Sequence, residues 1–186
     1  MLAKEISDNF NEGQALSILG LISLHQGNTT RARSLFEENL ALWKEEGDKR
    51  DLSRVIAFLA RVEAREGHYA AARAYYEESL AILKDADYKL YDVDLSAFLE
   101  GLASVLAAQG VYVGAARALG AAEALREIVG IPIPPVERDD YEQTVAAVRT
   151  HVGEQAFAAA WKEGRAMTLE QVVNKALNGD SGGGKP

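Results

Sequence analysis

One stretch of the sequence repeats itself at a fixed spacing of 40 residues, and this self-similarity restricts the fold more than any other feature. Gly27 answers Gly67, Leu19 answers Leu59, Ala32 answers Ala72 and Arg33 answers Arg73. Phe36 answers Tyr76, Glu37-Glu38 answers Glu77-Glu78, and Leu40-Ala41 answers Leu80-Ala81. A period of this size marks a solenoid, in which one helical hairpin buries its apolar face by stacking on the next. The composition of the stretch agrees. Pro is absent before Pro132, and Ala, Leu, Glu, Arg and Lys dominate, so the strongest helix breaker is missing and strong helix formers prevail.

Each repeat reads as two helices. In the first, Leu16, Leu19 and Ile22 mark helix A with helical apolar spacing. Gly27 ends it, because a left-handed residue costs glycine nothing. Asn28 can cap helix B, which runs through Ala32, Leu35, Phe36, Leu40 and Leu42 to about Trp43. Gly47 and Asp48 turn the chain back. The second repeat follows with Val55, Phe58, Leu59 and Val62, then Gly67, then Ala72, Tyr76, Leu80 and Leu83. A third repeat is displaced: Gly110 lies 43 residues after Gly67, so three residues are inserted, within Lys84 to Leu95. That segment holds Tyr88 and Tyr91. Leu102-Ala103 and Ala115-Ala116 take the places of Leu59-Ala60 and Ala72, and Gly120 stands near the place of Tyr76.

The register also extends backwards. Leu2, Lys4, Glu5 and Asp8 match Leu42, Lys44, Glu45 and Asp48, so the chain is expected to begin inside helix B of a partial repeat, as a segment of a longer protein; the alternative is a short N-terminal capping helix. After Gly130 the repeat stops. Ile131-Pro132-Ile133-Pro134-Pro135 should run extended. Three capping helices should follow: about 137–152 with Tyr141, Val145 and Val148 on one face, about 154–164 with Phe157 and Trp161, and one opened by a capping box of Thr168 and Gln171 and ending near Leu177. The expected domains are therefore repeats over 1–130, a cap over 131–177 and a Gly-rich disordered tail or linker over 178–186.

Leu19-Gly20, Gly27, Ala32 and Phe36 resemble a tetratricopeptide repeat, though the usual period is 34 and the Pro that ends helix B in that motif is replaced near Lys44 and Lys84. The resemblance implies an all-α fold: a TPR-like right-handed α-solenoid of antiparallel helix hairpins, here with a C-terminal helical cap. In the C-terminal half, Gly120 to Glu127, the Pro segment, Arg138-Asp139-Asp140-Tyr141, Ala156-Phe157, Ala159-Ala160-Trp161, Glu163 to Met167 and Leu169-Glu170 resemble the end of the helical-repeat sensor region of multidomain bacterial signalling ATPases and LuxR-type transcriptional regulators. That resemblance implies protein–protein interaction in signal transduction or transcription regulation. It transfers no catalytic residue. The alternative is a stand-alone TPR adaptor that scaffolds a protein complex.

Charge and composition narrow the chemistry. There is no Cys and the net charge is −8. Disulfides and thiolate metal sites are thereby excluded, a cytoplasmic location is expected, and direct nucleic-acid binding is disfavoured. No apolar run approaches a membrane span, and no secretory signal is visible. Gly179-Asp180-Ser181-Gly182-Gly183-Gly184-Lys185-Pro186 nearly spells a phosphate-binding loop, but Pro186 replaces the hydroxyl that would hold magnesium. His25, His68 and His151 show no paired metal-ligand spacing. Glu37-Glu38 and Glu77-Glu78 recur with the repeat and read as a solvated helix face. No catalytic residue, cofactor or metal is expected, and the chain reads as a non-enzyme.

One constellation points to binding, the alternative being a solvated basic stripe that balances the nearby Glu63 and Glu66. Arg54, Arg61 and Arg65 fall at i, i+7 and i+11, within about 40° of one another on a helical wheel. In the repeat type that the sequence resembles, helix A lines the concave groove. Three guanidiniums there suit an acidic peptide or a phosphate-bearing ligand. Gln14, Ser17 and Glu100 are expected to face the same groove. The expected partner is a protein, a peptide or a neighbouring domain of the full-length protein. A homodimer is a further expectation, because a truncated first hairpin leaves an apolar face open.

Overall fold

The structure is a computed structural model that describes residues 2–85 and 93–168, together with Gln171, Asn174 and Lys175. Among the described residues it is built of eight helices and no strand: α1 (Leu2–His25), α2 (Thr29–Glu46), α3 (Lys49–Arg65), α4 (Tyr69–Asp85), α5 (Val93–Ala108), α6 (Tyr112–Val129), α7 (Pro135–Val152) and α8 (Glu154–Arg165). The chain forms two compact units, Met1–Ala86 and Asp87–Pro186, and the all-α helical-repeat class expected from the period is what it adopts.

The repeated glycines close the hairpins. Gly27, Gly67 and Gly110 all have φ near +80°, a conformation that a Cβ disfavours. The same six-residue bond spans each turn: Asn28 N–H donates to the Ser23 carbonyl at 2.9 Å, His68 N–H to Glu63 at 2.9 Å, and Val111 N–H to Leu106 at 2.8 Å. Asn28 then caps α2, its side-chain oxygen accepting from Arg31 N–H at 3.0 Å. Asp48 caps α3 by accepting from Arg50 and Asp51 N–H. These are the unpaired first-turn donors that a helix start must satisfy.

Unit 1 contains two hairpins, α1–α2 and α3–α4. Helix pairing within each depends on small residues facing aromatics. Ala32, Phe36 and Ala72 are wholly buried and Tyr76 is 1% exposed. A Cβ on Gly20 would overlap the Phe36 ring, and one on Gly13 would overlap the Trp43 indole. α3 packs on the first hairpin: Val55, Phe58, Leu59 and Val62 join Leu24, Ala32, Phe36 and Trp43 in one core cluster. Phe36 and Phe58 stand 5.2 Å apart between ring centroids.

A buried polar link joins the two helices of each hairpin at the same register. Asn39 Nδ2 donates to the Gly13 carbonyl at 3.0 Å and to Ser17 Oγ at 2.8 Å. Forty residues on, Ser79 Oγ donates to the Ser53 carbonyl at 2.9 Å and Ser53 Oγ to the Ser79 carbonyl at 2.9 Å. Burial in low dielectric favours paired polar groups; the amide nitrogen of Asn39 is paired, while its Oδ1 is buried without a hydrogen-bond partner among the described residues.

Two expectations about unit 1 need revision, and a third falls outside the described residues. α1 is one unbroken helix from Leu2 to His25, so no turn separates the segment matching 42–48 from helix A. Ser7 stands where Gly47 supplies the left-handed turn residue. Leu19 and Ile22 do not join the core: they are 44% and 48% exposed. Their equivalents Leu59 and Val62 are buried because α3 rests on a preceding hairpin, and the described chain sets no hairpin against the corresponding face of α1. Lys84 closes the described run with Asp85, and the irregular segment's Tyr88 and Tyr91 lie outside the described residues.

Unit 2 pairs α5 with α6, and α6 also packs against α7 and α8. Leu119, wholly buried, takes the place of Tyr76, and Gly120 beside it serves a different contact. A Cβ at Gly120 would overlap the Trp161 backbone, and a Cβ at Gly164 would overlap the Arg117 backbone. Two glycines on facing helices thus let α6 and α8 cross at backbone distance. Arg117 Nε donates to Glu163 at 2.7 Å and Trp161 Nε1 to Glu123 at 2.7 Å across this crossing. Arg165 bonds both Glu123 and Glu127. α7 starts at Pro135, two residues before the expected start, because Pro is tolerated in a helix's first turn. On α7, Val148 is wholly buried while Tyr141 and Val145 are half-buried. Burial pushes the Tyr141 hydroxyl up to about 12. The capping box forms: Thr168 N–H donates to Gln171 Oε1 at 3.0 Å and Gln171 N–H to Thr168 Oγ1 at 3.3 Å. The expected end of that helix near Leu177, and the tail over 178–186, lie outside the described residues.

Candidate binding face

On α3 the arginines share one narrow strip, flanked on both sides by buried apolar positions. Val55, Phe58, Leu59 and Val62 point into the core, and at 100° per residue Arg54, Arg61 and Arg65 fall together beside that stripe. Arg65 is exposed, while Arg54 and Arg61 are half-buried. Arg54 Nη1 lies 2.5 Å from Asp51 Oδ1, one turn earlier on the same helix. That carboxylate orients the first guanidinium and lowers the net charge of the stripe. Forty residues earlier, Gln14, Leu21 and His25 occupy the same three positions on α1, so the stripe belongs to α3 alone within unit 1.

Two of the other expected groove residues, Ser17 and Glu100, are engaged in helix pairing. Gln14 is half-buried on α1, at the register position of Arg54. Ser17 is 6% exposed and accepts the Asn39 bond, so it faces α2 as part of the interhelical link. Its hydroxyl is too small to be separated from a core position by sequence alone. Glu100 lies in unit 2, where its two oxygens accept from Arg126 Nε and Nη2, each at 2.5 Å. This two-pronged pair has side-chain exposures of 9% and 12%, and Arg126 also reaches the Pro132 carbonyl at 3.4 Å. Glu100 thus ties α5 to α6 and to the start of the extended Pro segment. Glu100→Ala strands a largely buried guanidinium, and unit 2 should lose roughly 1.5–3 kcal/mol, the worth of a hydrogen bond to a charged group. Urea unfolding followed through Trp161 in a Trp43→Phe background measures this.

A second charged cluster escaped the sequence reading. Arg33 on α2 donates to Glu63 at 2.6 Å and to Glu66 at 2.7 Å, and His68 Nδ1 lies 2.9 Å from Glu63. Bonds from Thr29 and Arg33 hold the Glu66 carboxyl below the ordinary carboxylate range. Glu63, Glu66 and His68 could each offer a ligand atom to one cation, since these atoms lie within 4.8 Å of one another. The guanidinium already sits on both carboxylates and supplies the compensating charge, so the chemistry of this set is that of a clamp between α2 and the end of α3. The repeat spacing hid it: Arg33 recurs as Arg73, but Arg73 pairs with Glu77 on its own helix.

No helix among the described residues is long and apolar enough to cross a membrane. Residues 11–85 match the family model of the tetratricopeptide repeat, a span that runs from within α1 to the end of α4. Neither the curated proteins nor the solved structures yield a match to the chain.

Proposed function

We propose that this chain is a non-catalytic recognition module that holds an acidic or phosphate-bearing protein segment against the arginine stripe of α3. In a longer polypeptide it would act as the sensor segment of a bacterial transcriptional regulator or signalling ATPase, passing occupancy to neighbouring domains. A TPR-like helical repeat is typically an interaction module, and the family match covers the helices that carry the stripe. The observation that carries the ligand class is the placement of Arg61 and Arg65 on one face of α3, beside Arg54 held by Asp51. Glu63 and Glu66 are engaged by Arg33 on the side of α2. A planar guanidinium pairs with carboxylate or phosphate in a fork, and two or three on one face suit a multiply charged segment.

Binding should therefore fall with salt, as exposed charge pairs are screened. A fluorescein-labelled poly-glutamate peptide and a doubly phosphorylated peptide serve as probes in anisotropy titrations. Arg61→Glu with Arg65→Glu should weaken binding at least tenfold at low salt, with the far-ultraviolet circular dichroism of the folded chain retained. Equal affinity in the charge-reversed variant, or no binding of either probe by the parent, defeats the reading.

A further inference from the structure

α1 turns an apolar stripe to solvent. Ile18, Leu19 and Ile22 are 56%, 44% and 48% exposed, and Ala15 is exposed beside them. These four are the 40-residue equivalents of Phe58, Leu59, Val62 and Val55, the residues with which α3 docks on the first hairpin. The stripe is therefore a packing face by construction, since its counterpart in the same chain is fully engaged. Three large apolar side chains side by side form a patch of the kind that marks an interface.

The occupant is constrained by charge. Where α3 receives α2, Glu63 and Glu66 bind Arg33. Forty residues earlier stand Ser23 and Gln26, so α1 lacks the acidic pair that would receive a helix like α2. Instead, the twelve residues from Gly13 to Leu24 contain no charged side chain. Such a face meets no like charge when it meets itself, even in a chain of net charge −8.

The spacing is also self-complementary. In an antiparallel pair with a two-fold axis between residues 18 and 19, Ile18 meets Leu19 and small Ala15 meets large Ile22. Further out, Asn11 comes beside Gln26 and Glu12 beside His25. All four of these flanking residues are exposed, and the pairings are amide with amide and acid with base. An isologous interface requires this reciprocity: if residue i contacts j, then j contacts i.

We propose that two copies of this chain associate through α1, packed antiparallel on the Ala15–Ile18–Leu19–Ile22 stripe. The proposal is independent of the arginine face, which lies on α3. The seam is a single helix face, well below the size of an obligate interface, so association is reversible, with a dissociation constant on the order of micromolar to tens of micromolar.

Sedimentation velocity from about 1 to 300 µM, a range set to bracket that constant, tests it on the full chain. The parent should move from monomer to dimer across this range. Copies carrying Ile18→Lys/Leu19→Lys, and copies carrying Ile18→Glu/Leu19→Glu, should each stay monomeric with the parent's far-ultraviolet circular dichroism. An equimolar mixture of the two should recover the dimer. The milder Leu19→Gln, at a site already half-exposed, should weaken association at least tenfold, and Ile128→Lys, at an exposed apolar site in unit 2, should leave it unchanged. A parent that stays monomeric throughout overturns the proposal, as do a dimer that persists in both charged variants and a mixture that fails to associate. Parent monomers that bind a separate helical hairpin through α1 would assign the face to a different occupant.

Discussion

Gly120→Leu should lower the stability of unit 2 by roughly 3 kcal/mol or more and release α8 from α6. Overpacking a filled core usually costs about 1–3 kcal/mol because side chains and backbone shift to make room. Here the obstruction is the backbone of Trp161, not the far end of a flexible side chain, so relief requires α8 to move as a body. Movement breaks more than one contact. Trp161 Nε1 would leave Glu123, Arg117 would leave Glu163, and Gly164 would lift from the Arg117 backbone. Gly164→Leu attacks the same crossing from the other side, so the double variant should cost less than the sum of the two singles, because α8 can be displaced only once. Trp161 reports the release in a Trp43→Phe background, since the chain has two Trp residues. A Gly120→Leu variant with unchanged Trp161 emission and an unchanged urea midpoint would refute the crossing.

The fate of Gly120 shows where a repeat-based reading of sequence loses its hold. A period reports what neighbouring repeats share, so it identified the Gly27, Gly67 and Gly110 turns, the buried Ala32 and Ala72, and the Phe36 and Tyr76 positions. It is silent on contacts made once. The α6–α8 crossing is such a contact, and Gly120 and Gly164 are 44 residues apart with no pattern linking them. The Arg33 clamp on Glu63 and Glu66 is another, because Arg73 keeps the residue type and changes the partner.

The candidate face was legible to a similar degree. Three arginines on one side of α3 follow from spacing alone, since a helix fixes their angles. The expected contributions of Ser17 and Glu100 do not. A hydroxyl can sit on either side of a core boundary, and only the presence of Asn39 on the facing helix draws Ser17 inward. Glu100 reads as a surface carboxylate until Arg126 is seen opposite, on the next helix. The exposure of Leu19 and Ile22 has a related origin. Their hydrophobicity announces a packing face, but helical periodicity cannot say what packs there.

Exchanging the interhelical link of the first hairpin for that of the second should produce the largest departure from additivity in the molecule. The first hairpin combines Gly13, Ser17, Asn39 and Trp43, and the second places Ser53, Ala57, Ser79 and Leu83 at the same register. Each set pairs across its own hairpin, although Asn39 Oδ1 in the first is buried without a partner among the described residues. Gly13 leaves room for the Trp43 indole, which a Cβ at that position would overlap, and Asn39 is long enough to reach the Gly13 carbonyl and Ser17 together. The shorter Ser79 reaches only the facing Ser53, and the pair exchanges bonds at 2.9 Å.

Single exchanges therefore mix incompatible halves. Gly13→Ser forces the indole aside, at about 1–3 kcal/mol. Asn39→Ser removes the bonds to the Gly13 carbonyl and Ser17 Oγ across the buried contact, at about 1–3 kcal/mol. Trp43→Leu opens a cavity beside Gly13 that no other side chain fills, at a few kcal/mol or less. The fourfold variant Gly13→Ser/Ser17→Ala/Asn39→Ser/Trp43→Leu restores the second hairpin's complete set. It removes side-chain volume overall, chiefly at Trp43, but should lose less than the several kcal/mol to which the single losses sum, because the mismatched halves are relieved together. Urea denaturation of the singles and the fourfold variant, followed by circular dichroism, measures the coupling. A fourfold loss equal to the sum of the singles would mean that the two links are not interchangeable solutions to one packing problem, and that the hairpins are less alike than their 40-residue register implies.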